Sequence, residues 1–213
     1  MNIGIDIDNV ISNFNEVLLS EYLIHDKELR EKGIINKNAE YIRKGMFDWS
    51  EIEEENFYKE NIERIARKLD LIEGAKEYIN KLHEDGNTIY IITGRDNGEY
   101  LEPYTMTKKW LDSHNIYYDN LILTNAYNKH EKSEKCIENN IDVIIDDSVS
   151  ICRDCINNGI TTLLMDTPYN KYEKSIPKVY NWKEIFEYII EYKKEKLNVI
   201  LDTDTYNECD DQF

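Results

Sequence analysis

The chain has 213 residues, with 26 Lys and Arg against 43 Asp and Glu, and a formal net charge of −17. Its length fits one α/β domain with an elaboration and is too short for two large domains. The negative charge disfavours a nucleic acid polymer as partner, because that binding depends on clustered cationic side chains. A small anionic substrate would need only a local positive pocket.

Membrane and redox signals are weak in this sequence. No apolar run approaches the ~20 residues that span a bilayer, and no charged leader with an apolar stretch opens the chain. We therefore expect a cytoplasmic protein with no membrane partner. Cys152 and Cys155 form a C-x-x-C inside a predicted helix, but no further Cys or His cluster completes a zinc set, so we interpret them as reduced packing thiols.

Acidic pairs follow two apolar runs. Asp6 and Asp8 lie at the end of the predicted strand Asn2 to Ile7, and Asp146 and Asp147 close the run IDVIIDDS. Side chains two residues apart on a strand point to the same face, so both carboxylates of the first pair can converge on one cation. Two predicted strand ends therefore carry four carboxylates, as a metal-dependent site requires.

Residues 13–70 contain no β-rich run and are predicted to form a helical insert. Its clearest helix, Ser50 to Leu69, begins with a capping signature in which Glu53 follows Ser50 by three residues. One apolar stripe of this helix comprises Tyr58, Ile62, Ile65 and Leu69. An insert directly after the first strand would lie over the strand ends and could close on a substrate, so we interpret it as a cap.

The rest of the chain alternates between predicted strands and helices. The further strands are Thr88 to Thr93, Asn120 to Thr124, Asp142 to Ile145 and Thr161 to Met165. The helices are Glu73 to His83, Thr105 to His114, one after the second acidic pair, and Trp182 to Lys196. This order predicts an α/β fold with a doubly wound, three-layer, Rossmann-like parallel sheet, whose ligands bind beyond the carboxyl ends of the strands.

Phosphate-binding candidates occur at the end of the second long strand. Thr93, Gly94 and Arg95 supply a hydroxyl, an accessible backbone amide and a cation. Three lysines precede the second acidic pair: Lys129, Lys132 and Lys135. Any one of them could neutralise a phosphate or a carboxylate at the strand ends.

The order D-x-D-x-V, T-G-R, Lys and D-D at successive strand ends resembles the haloacid dehalogenase-like phosphohydrolase superfamily, over residues 2–182. The position of the insert matches the C1 caps of that superfamily. A narrower resemblance, to the 5'(3')-deoxyribonucleotidase branch, rests on TMTKKWLDSHNIYYDNLIL (Thr105 to Leu123), the K-x-x-x-C from Lys132 to Cys136, and DTPYN (Asp166 to Asn170). The predicted domains are a core (1–12 and 71–196), a cap (13–70) and a tail (197–213).

The resemblance implies a magnesium-dependent phosphomonoesterase. Asp6 would be the nucleophile that forms an aspartyl-phosphate, and Asp8 the general acid and base. Mg²⁺ would be bound by Asp6, the Asp8 carbonyl and Asp146, with Asp147 reaching it through water or orienting the lysine. The phosphate would contact Thr93, Gly94, Arg95 and Lys132, with Lys135 as the alternative lysine. Asn9 stands where many members of the superfamily have Gly. Because Asn tolerates left-handed backbone geometry, we expect this difference to have little effect on the turn.

The implied substrate is a nucleoside monophosphate. A sugar phosphate or phosphoglycolate is the first alternative, and a non-catalytic phosphate- and metal-binding module is the second. Four aromatic residues of the insert could either stack on a base or form the core of the cap: Phe14, Phe47, Trp49 and Phe57. The base, the sugar, the phosphate position and the oligomeric state stay open, with a homodimer compatible with the sequence.

Residues 197–213, LNVILDTDTYNECDDQF, resemble the opening strand and calcium loop of nucleoside hydrolases. The matching acids are Asp202, Asp204, Asp210 and Asp211. The loop is two residues longer than the common form of that motif, and no hydrolase body follows it. We expect either the front of a fused or truncated reading frame or a disordered acidic terminus, without hydrolase activity of its own.

Overall fold

The computed structural model describes residues 1–39, 41–96 and 98–210, with side chains to residue 196. Six parallel strands form one sheet in the order β3-β2-β1-β4-β5-β6. The strands are β1 Asn2–Ile5, β2 Thr88–Thr93, β3 Asn120–Leu123, β4 Val143–Asp146, β5 Thr161–Met165 and β6 Lys178–Val179. The α/β class and the parallel sheet predicted from the sequence are confirmed.

Helices connect these strands. In chain order they are α1 Phe14–Leu29, α2 Glu51–Ala66, α3 Ala75–Glu84, α4 Pro103–His114, α5 Glu131–Glu138, α6 Val149–Asn157 and α7 Trp182–Asp210. Each of α4, α5 and α6 forms a crossover between two parallel strands, as this topology requires. No helix in the described part of the chain combines the length and the apolar character of a membrane span.

The centre of the sheet is apolar on both faces. Ile3, Ile5, Val143 and Ile145 of the paired strands β1 and β4 are fully buried, as expected for a parallel sheet covered by helices. Gly4 and Ile144 face the other side of the sheet, where a Cβ on Gly4 would lie 2.7 Å from Ile144 Cδ1. Any larger residue at this position would push β1 away from the side chains beside it.

The chain order places the predicted site at a topological switch point. Strands β2 and β3 lie to one side of β1, whereas β4, β5 and β6 lie to the other. Ligands bind at such reversals, beyond the carboxyl ends of the strands. Thr93, Asp6 and Asp146 end or directly follow the three neighbouring strands β2, β1 and β4, so their side chains meet at this edge.

Helices α1 and α2 and the segment between them lie in residues 13–70. The α2 helix begins at Glu51 because Ser50 and Glu53 form the predicted capping box, in which each side chain accepts a backbone N–H of the other residue. Four aromatic side chains, which we call the aromatic cluster, pack together inside this region: Tyr22, Phe47, Trp49 and Phe57. This cluster is the local core of the insert.

The two ends of the insert lie side by side. Ser12 and Leu71 form an antiparallel bridge, and the Ile72 amide donates to the Ile11 carbonyl at 2.8 Å. Asn13 continues the pairing, because its side-chain Oδ1 accepts the Asp70 amide at 2.9 Å. The chain therefore leaves the core and returns to it beside the strand that carries the first acidic pair.

Two further expectations concern cysteines and the terminus. Cys152 and Cys155 are buried free thiols, and burial raises the pKa of the Cys152 thiol, which agrees with their interpretation as packing residues.

The two-residue strand β6 was not predicted. The side chains of the acidic motif in residues 197–213 lie outside those that the structure describes, so the resemblance to nucleoside hydrolases stays a prediction.

Candidate active site

A buried lysine joins the two acidic strand ends. Lys132, in the first turn of α5, donates from Nζ to Asp6 Oδ1 at 2.8 Å and to Asp146 Oδ2 at 2.6 Å. All three side chains are buried, with exposed fractions of 6%, 8% and 2%. The Asp6 amide donates to the Ile145 carbonyl at 3.0 Å, which fixes Asp6 between β1 and β4.

Asp147 belongs to the same buried group but has a different partner. Its Oδ2 accepts Asn9 Nδ2 at 2.9 Å, and Asn9 Oδ1 accepts the Asn15 amide at 2.7 Å. Asn9 has a positive φ of 62°, a conformation that Asn adopts more readily than most residues. Asn9 therefore makes the turn after β1 and also orients an acid of β4, whereas the lysine is oriented by Asp146 and Asp6.

We call Asp6, Lys132, Asp146 and Asp147 the ionic cluster. The three carboxylates each offer an oxygen within 4.8 Å of the others. One ammonium faces them, so if all ionise the cluster carries a net charge of about −2. Two of these acids have raised pKa values. Burial, together with the neighbouring carboxylates, raises the pKa of Asp6 to about 6 despite Lys132. The same causes raise the pKa of Asp147 well above its ordinary range.

This donor set fits a hard divalent cation. The ligands are carboxylate oxygens, which Mg²⁺ prefers, and a charge of +2 would neutralise the excess in the ionic cluster. A buried carboxylate with a raised pKa is costly to ionise unless a cation compensates it. The chemistry of these residues therefore agrees with a divalent metal held by the ionic cluster.

Asp8 lies outside this group and contacts a different cation. Arg95 donates from Nε to Asp8 Oδ2 at 3.2 Å and from Nη2 to Asp8 Oδ1. The Arg95 side chain is fully buried, whereas that of Asp8 is 23% exposed. The sequence analysis placed Arg95 on the phosphate, but the structure turns its guanidinium towards Asp8.

The other residues of the T-G-R motif remain available at the strand end. Thr93 Oγ1 is buried and has no hydrogen-bond partner within the part of the chain that the structure describes. Gly94 lets the loop after β3 pack closely against the strand end, because a Cβ on Gly94 would lie 3.1 Å from the Ala126 Cβ. A phosphate oxygen beside Thr93 would satisfy its hydroxyl group.

A cleft of about 760 Å³ opens above these residues, a size typical of small-ligand sites. Its walls come from the turn after β1, the insert, and loops that follow β3, β4 and β5. Residues lining it include Asp8, Asn9, Phe14, Arg43, Tyr58, Tyr127, Asp147 and Tyr169. The cavity therefore reaches the ionic cluster at Asp147 and extends beneath the insert.

The insert contributes different aromatic residues from those expected. Phe14 lines the cleft, but Phe47, Trp49 and Phe57 belong to the aromatic cluster and are buried away from it. Tyr58, the residue that follows Phe57 in α2, lines the cleft instead. The sequence named the aromatic residues of the insert without separating those that face the cleft from those that form its core.

A polar network that the sequence analysis missed joins the insert to the core. Arg43 Nη1 donates to the Tyr127 hydroxyl at 3.2 Å and to Glu99 Oε1 at 3.3 Å. The Arg43 guanidinium lies 4.3 Å from the centroid of the Tyr58 ring. Tyr127 is 84 residues away from Arg43, so no local pattern in the sequence could have indicated this contact.

The structure distinguishes among the three candidate lysines. Lys135 is 34% exposed and pairs with Glu138, and Lys129 is exposed. Only Lys132 among these three reaches the acidic strand ends. The structure brings together the carboxylates of Asp6, Asp146 and Asp147. The carboxylate of Asp8, which was expected to converge with that of Asp6 on one cation, contacts Arg95 instead.

Comparison with known proteins agrees with this geometry. A model of the family described as 5' nucleotidase, deoxy (pyrimidine), cytosolic type C matches residues 1–195. The chain belongs to this nucleotidase family. A nucleotidase from Clostridium acetobutylicum is 28% identical to it over 196 residues, which cover 87% of this chain and 92% of that protein.

Further similarities lie in the same superfamily. A protein from Chlorobaculum tepidum, provisionally named a 5'(3')-deoxyribonucleotidase, is 23% identical over 197 residues, covering 88% of this nucleotidase and 89% of the relative. A haloacid dehalogenase-like hydrolase from Streptococcus pneumoniae has the same fold, with a TM-score of 0.59, 17% identity, and coverage of 88% and 97% of the two chains. The family match makes the nucleotidase a phosphoric monoester hydrolase, and it has the fold of the haloacid dehalogenase-like hydrolases.

Proposed function

We propose that this nucleotidase hydrolyses nucleoside or deoxynucleoside monophosphates in the cytoplasm through an aspartyl-phosphate on Asp6, with Mg²⁺ as cofactor. The observation that carries the proposal is the ionic cluster beside the cleft. It combines a buried carboxylate, a lysine that holds it and a set of oxygen ligands for a divalent ion. The family match and the nucleotidase relative support the substrate class.

The chemistry divides into two steps. In the first, an Asp6 carboxylate oxygen attacks phosphorus, the bond to the leaving oxygen breaks, and Asp8 gives that oxygen its proton. In the second, water attacks the phosphorus, Asp8 takes a proton from the water, and the bond between phosphorus and Asp6 breaks. Inorganic phosphate and a free nucleoside are the products, and both aspartates return to their starting state.

The remaining residues bind and orient the phosphate. Thr93 Oγ1 donates to a phosphate oxygen, and Lys132 holds the attacking oxygen of Asp6 while offsetting phosphate charge. Mg²⁺, bound by Asp6, the Asp8 carbonyl, Asp146 and Asp147, would neutralise charge on the phosphoryl group. The nucleoside would extend along the cleft towards Phe14, where an apolar ring can contact a base.

The test is phosphate release from a panel of esters by the purified chain. The panel contains 5'- and 3'-nucleoside monophosphates, sugar phosphates, phosphoglycolate and p-nitrophenyl phosphate, each with Mg²⁺ or EDTA. We expect metal-dependent release with nucleotides ranked first, and at least a ~10³-fold loss in Asp6→Asn. A sugar phosphate or phosphoglycolate ranked first would reassign the substrate. Release that persists in Asp6→Asn would refute the nucleophile.

A further inference from the structure

Arg95 is the second buried cation of the site, and its surroundings differ from those of Lys132. Lys132 bridges two carboxylates of the ionic cluster, whereas Arg95 contacts Asp8 with two nitrogens. A two-point contact fixes both the position and the plane of a carboxylate, which a single ammonium cannot do. Arg95 therefore restrains the orientation of Asp8 as well as balancing its charge.

The placement of the pair is directional. Asp8 is 23% exposed and lines the cleft, while the Arg95 side chain is fully buried. Arg95 thus lies behind Asp8 as seen from the substrate cavity. A hydrogen bond from Ser12 Oγ to Asp8 Oδ1 is longer, at 3.4 Å, and is therefore a weaker anchor.

The backbone at Arg95 is also fixed. The Arg95 amide donates to the Thr93 carbonyl at 3.0 Å, and the same carbonyl accepts the Thr124 amide at 2.9 Å. The guanidinium is therefore carried by a tight turn whose position is set by β2 and by the loop after β3. A support with this little freedom can hold a neighbouring carboxylate to within a few tenths of an ångström.

We propose that Arg95 is a positioning residue that aims the Asp8 carboxylate at the leaving oxygen. The inference rests on the proposed function, in which Asp8 protonates the leaving oxygen and then activates water. Proton transfer needs a short, aligned contact between donor and acceptor. A carboxylate that rotates freely at the cleft wall would seldom make that contact.

The two roles predict different kinetics. A nucleoside is a poor leaving group and needs the proton of Asp8, whereas p-nitrophenolate leaves without one. Loss of positioning therefore slows phosphoenzyme formation from nucleotides but not from p-nitrophenyl phosphate. Hydrolysis of the phosphoenzyme still needs Asp8 as a base, so the nitrophenyl ester should give a burst followed by slow turnover.

The experiment uses Arg95→Gln, Arg95→Lys and Asp8→Asn of the full chain, with Mg²⁺ present. Rapid mixing with p-nitrophenyl phosphate should give a burst of about one nitrophenolate per active site in all three variants. Turnover of the best nucleotide should fall roughly 10²-fold or more in Arg95→Gln and Asp8→Asn. Arg95→Lys, which keeps the charge without the two-point contact, should lie between Arg95→Gln and the wild type.

Inhibition by inorganic phosphate separates positioning from phosphate binding. We expect its inhibition constant to change less than about twofold in the Arg95 variants, whereas loss of a charged phosphate contact would weaken it about tenfold or more. Arg67→Gln is the control, because Arg67 forms an exposed pair with Glu63, and it should match the wild type in every assay. Thermal melts identify a misfolded variant, and Arg95→Lys carries the test if Arg95→Gln does not fold.

Three outcomes overturn the proposal. Weaker inhibition by phosphate together with loss of the nitrophenolate burst would make Arg95 a phosphate ligand. Arg95 variants that turn over nucleotides like the wild type, while Asp8→Asn does not, would remove the positioning role and leave the proposed function intact. Full nucleotide turnover by Asp8→Asn would refute the acid and base role of Asp8, and the positioning of Asp8 with it.

Discussion

The ionic cluster of the core and the aromatic cluster of the insert are both buried, yet they contribute oppositely to stability. The aromatic cluster removes four large side chains from water, a favourable term. The ionic cluster buries three carboxylates against one ammonium, and burial, together with the neighbouring carboxylates, raises the pKa values of Asp6 and Asp147. The residues that we propose for catalysis are thus held in place at the expense of stability, while the insert relies on packing.

The largest effect should come from removing the one cation of the ionic cluster. In Lys132→Met, three buried carboxylates lose their counter-charge, and we expect about 3–5 kcal/mol lower free energy of unfolding in EDTA at neutral pH. Nucleotide turnover should disappear as well. Chemical denaturation followed by circular dichroism measures the first effect, and phosphate release measures the second.

Lys135→Met is the matched control for that variant, because Lys135 lies on the same helix and is partly exposed. Its unfolding free energy should stay within about 0.5 kcal/mol of the wild type. Equal losses in the two lysine variants would mean that the ionic cluster does not depend on Lys132.

A second variant disrupts the aromatic cluster alone. Phe57→Ala removes a ring that lies 4.7 Å from Tyr22 and 5.3 Å from Trp49, measured between centroids. We expect a loss of about 3–4 kcal/mol in unfolding free energy, with kcat kept within about threefold of the wild type where the protein is folded. Loss of kcat in a fully folded Phe57→Ala protein would show that the two clusters are coupled.

Metal and pH should act on the ionic cluster and leave the aromatic cluster unaffected. Because the pKa of Asp6 is raised from 3.8 to about 6, the metal-free native state keeps a proton that the unfolded chain has lost. The contribution of Asp6 to stability in EDTA therefore falls as the pH rises from 3.8 to about 6. Mg²⁺ at 100 times its dissociation constant should restore about 2.7 kcal/mol.

That restoration should be largest above pH 6, where the carboxylates are ionised and free to bind the cation, and it should shrink towards pH 5. Thermal melts with and without Mg²⁺ at pH 5 and pH 8 measure the difference. A larger gain in melting temperature at pH 5 than at pH 8 would contradict the charge balance described for the site.

The smallest effect should come from the insert residue that faces the cleft. We expect Phe14→Ala to raise KM for nucleotides roughly fivefold, which corresponds to about 1 kcal/mol of binding free energy, because contact with the base is lost. KM for p-nitrophenyl phosphate should change less, and kcat for either substrate should be unaffected. Equal KM changes for the two esters would mean that Phe14 does not contact the nucleoside.

The sequence predicted the parts of the fold whose signals are local. Apolar runs that end in acids located β1 and β4, and the order of strands and helices was sufficient for the parallel sheet. The α1 helix was harder to delimit, because its buried positions Leu18, Tyr22 and Asp26 include an acid that satisfies Trp49 Nε1. The strand β6 has only two residues, too few for any periodicity.

Side-chain direction limited the prediction of the site. The T-G-R motif placed Arg95 at the correct strand end, but whether its guanidinium faces a phosphate or Asp8 depends on the turn and on burial. The choice among three lysines was made from spacing alone, and in the structure Lys132 is the one that reaches Asp6. The contact of Arg43 with Tyr127 depends on how the insert folds back onto the core, which no short motif encodes.

The paired ends of the insert have a consequence for how such enzymes diversify. Since Ser12 bridges Leu71 and Asn13 accepts the Asp70 amide, the core needs only a short two-stranded stem at the point of attachment. A segment of different length or sequence can be grafted onto that stem without changing the register of β1 against its neighbours. Selectivity for the organic part of a substrate can therefore evolve by exchange of one segment, while the phosphate chemistry is inherited unchanged.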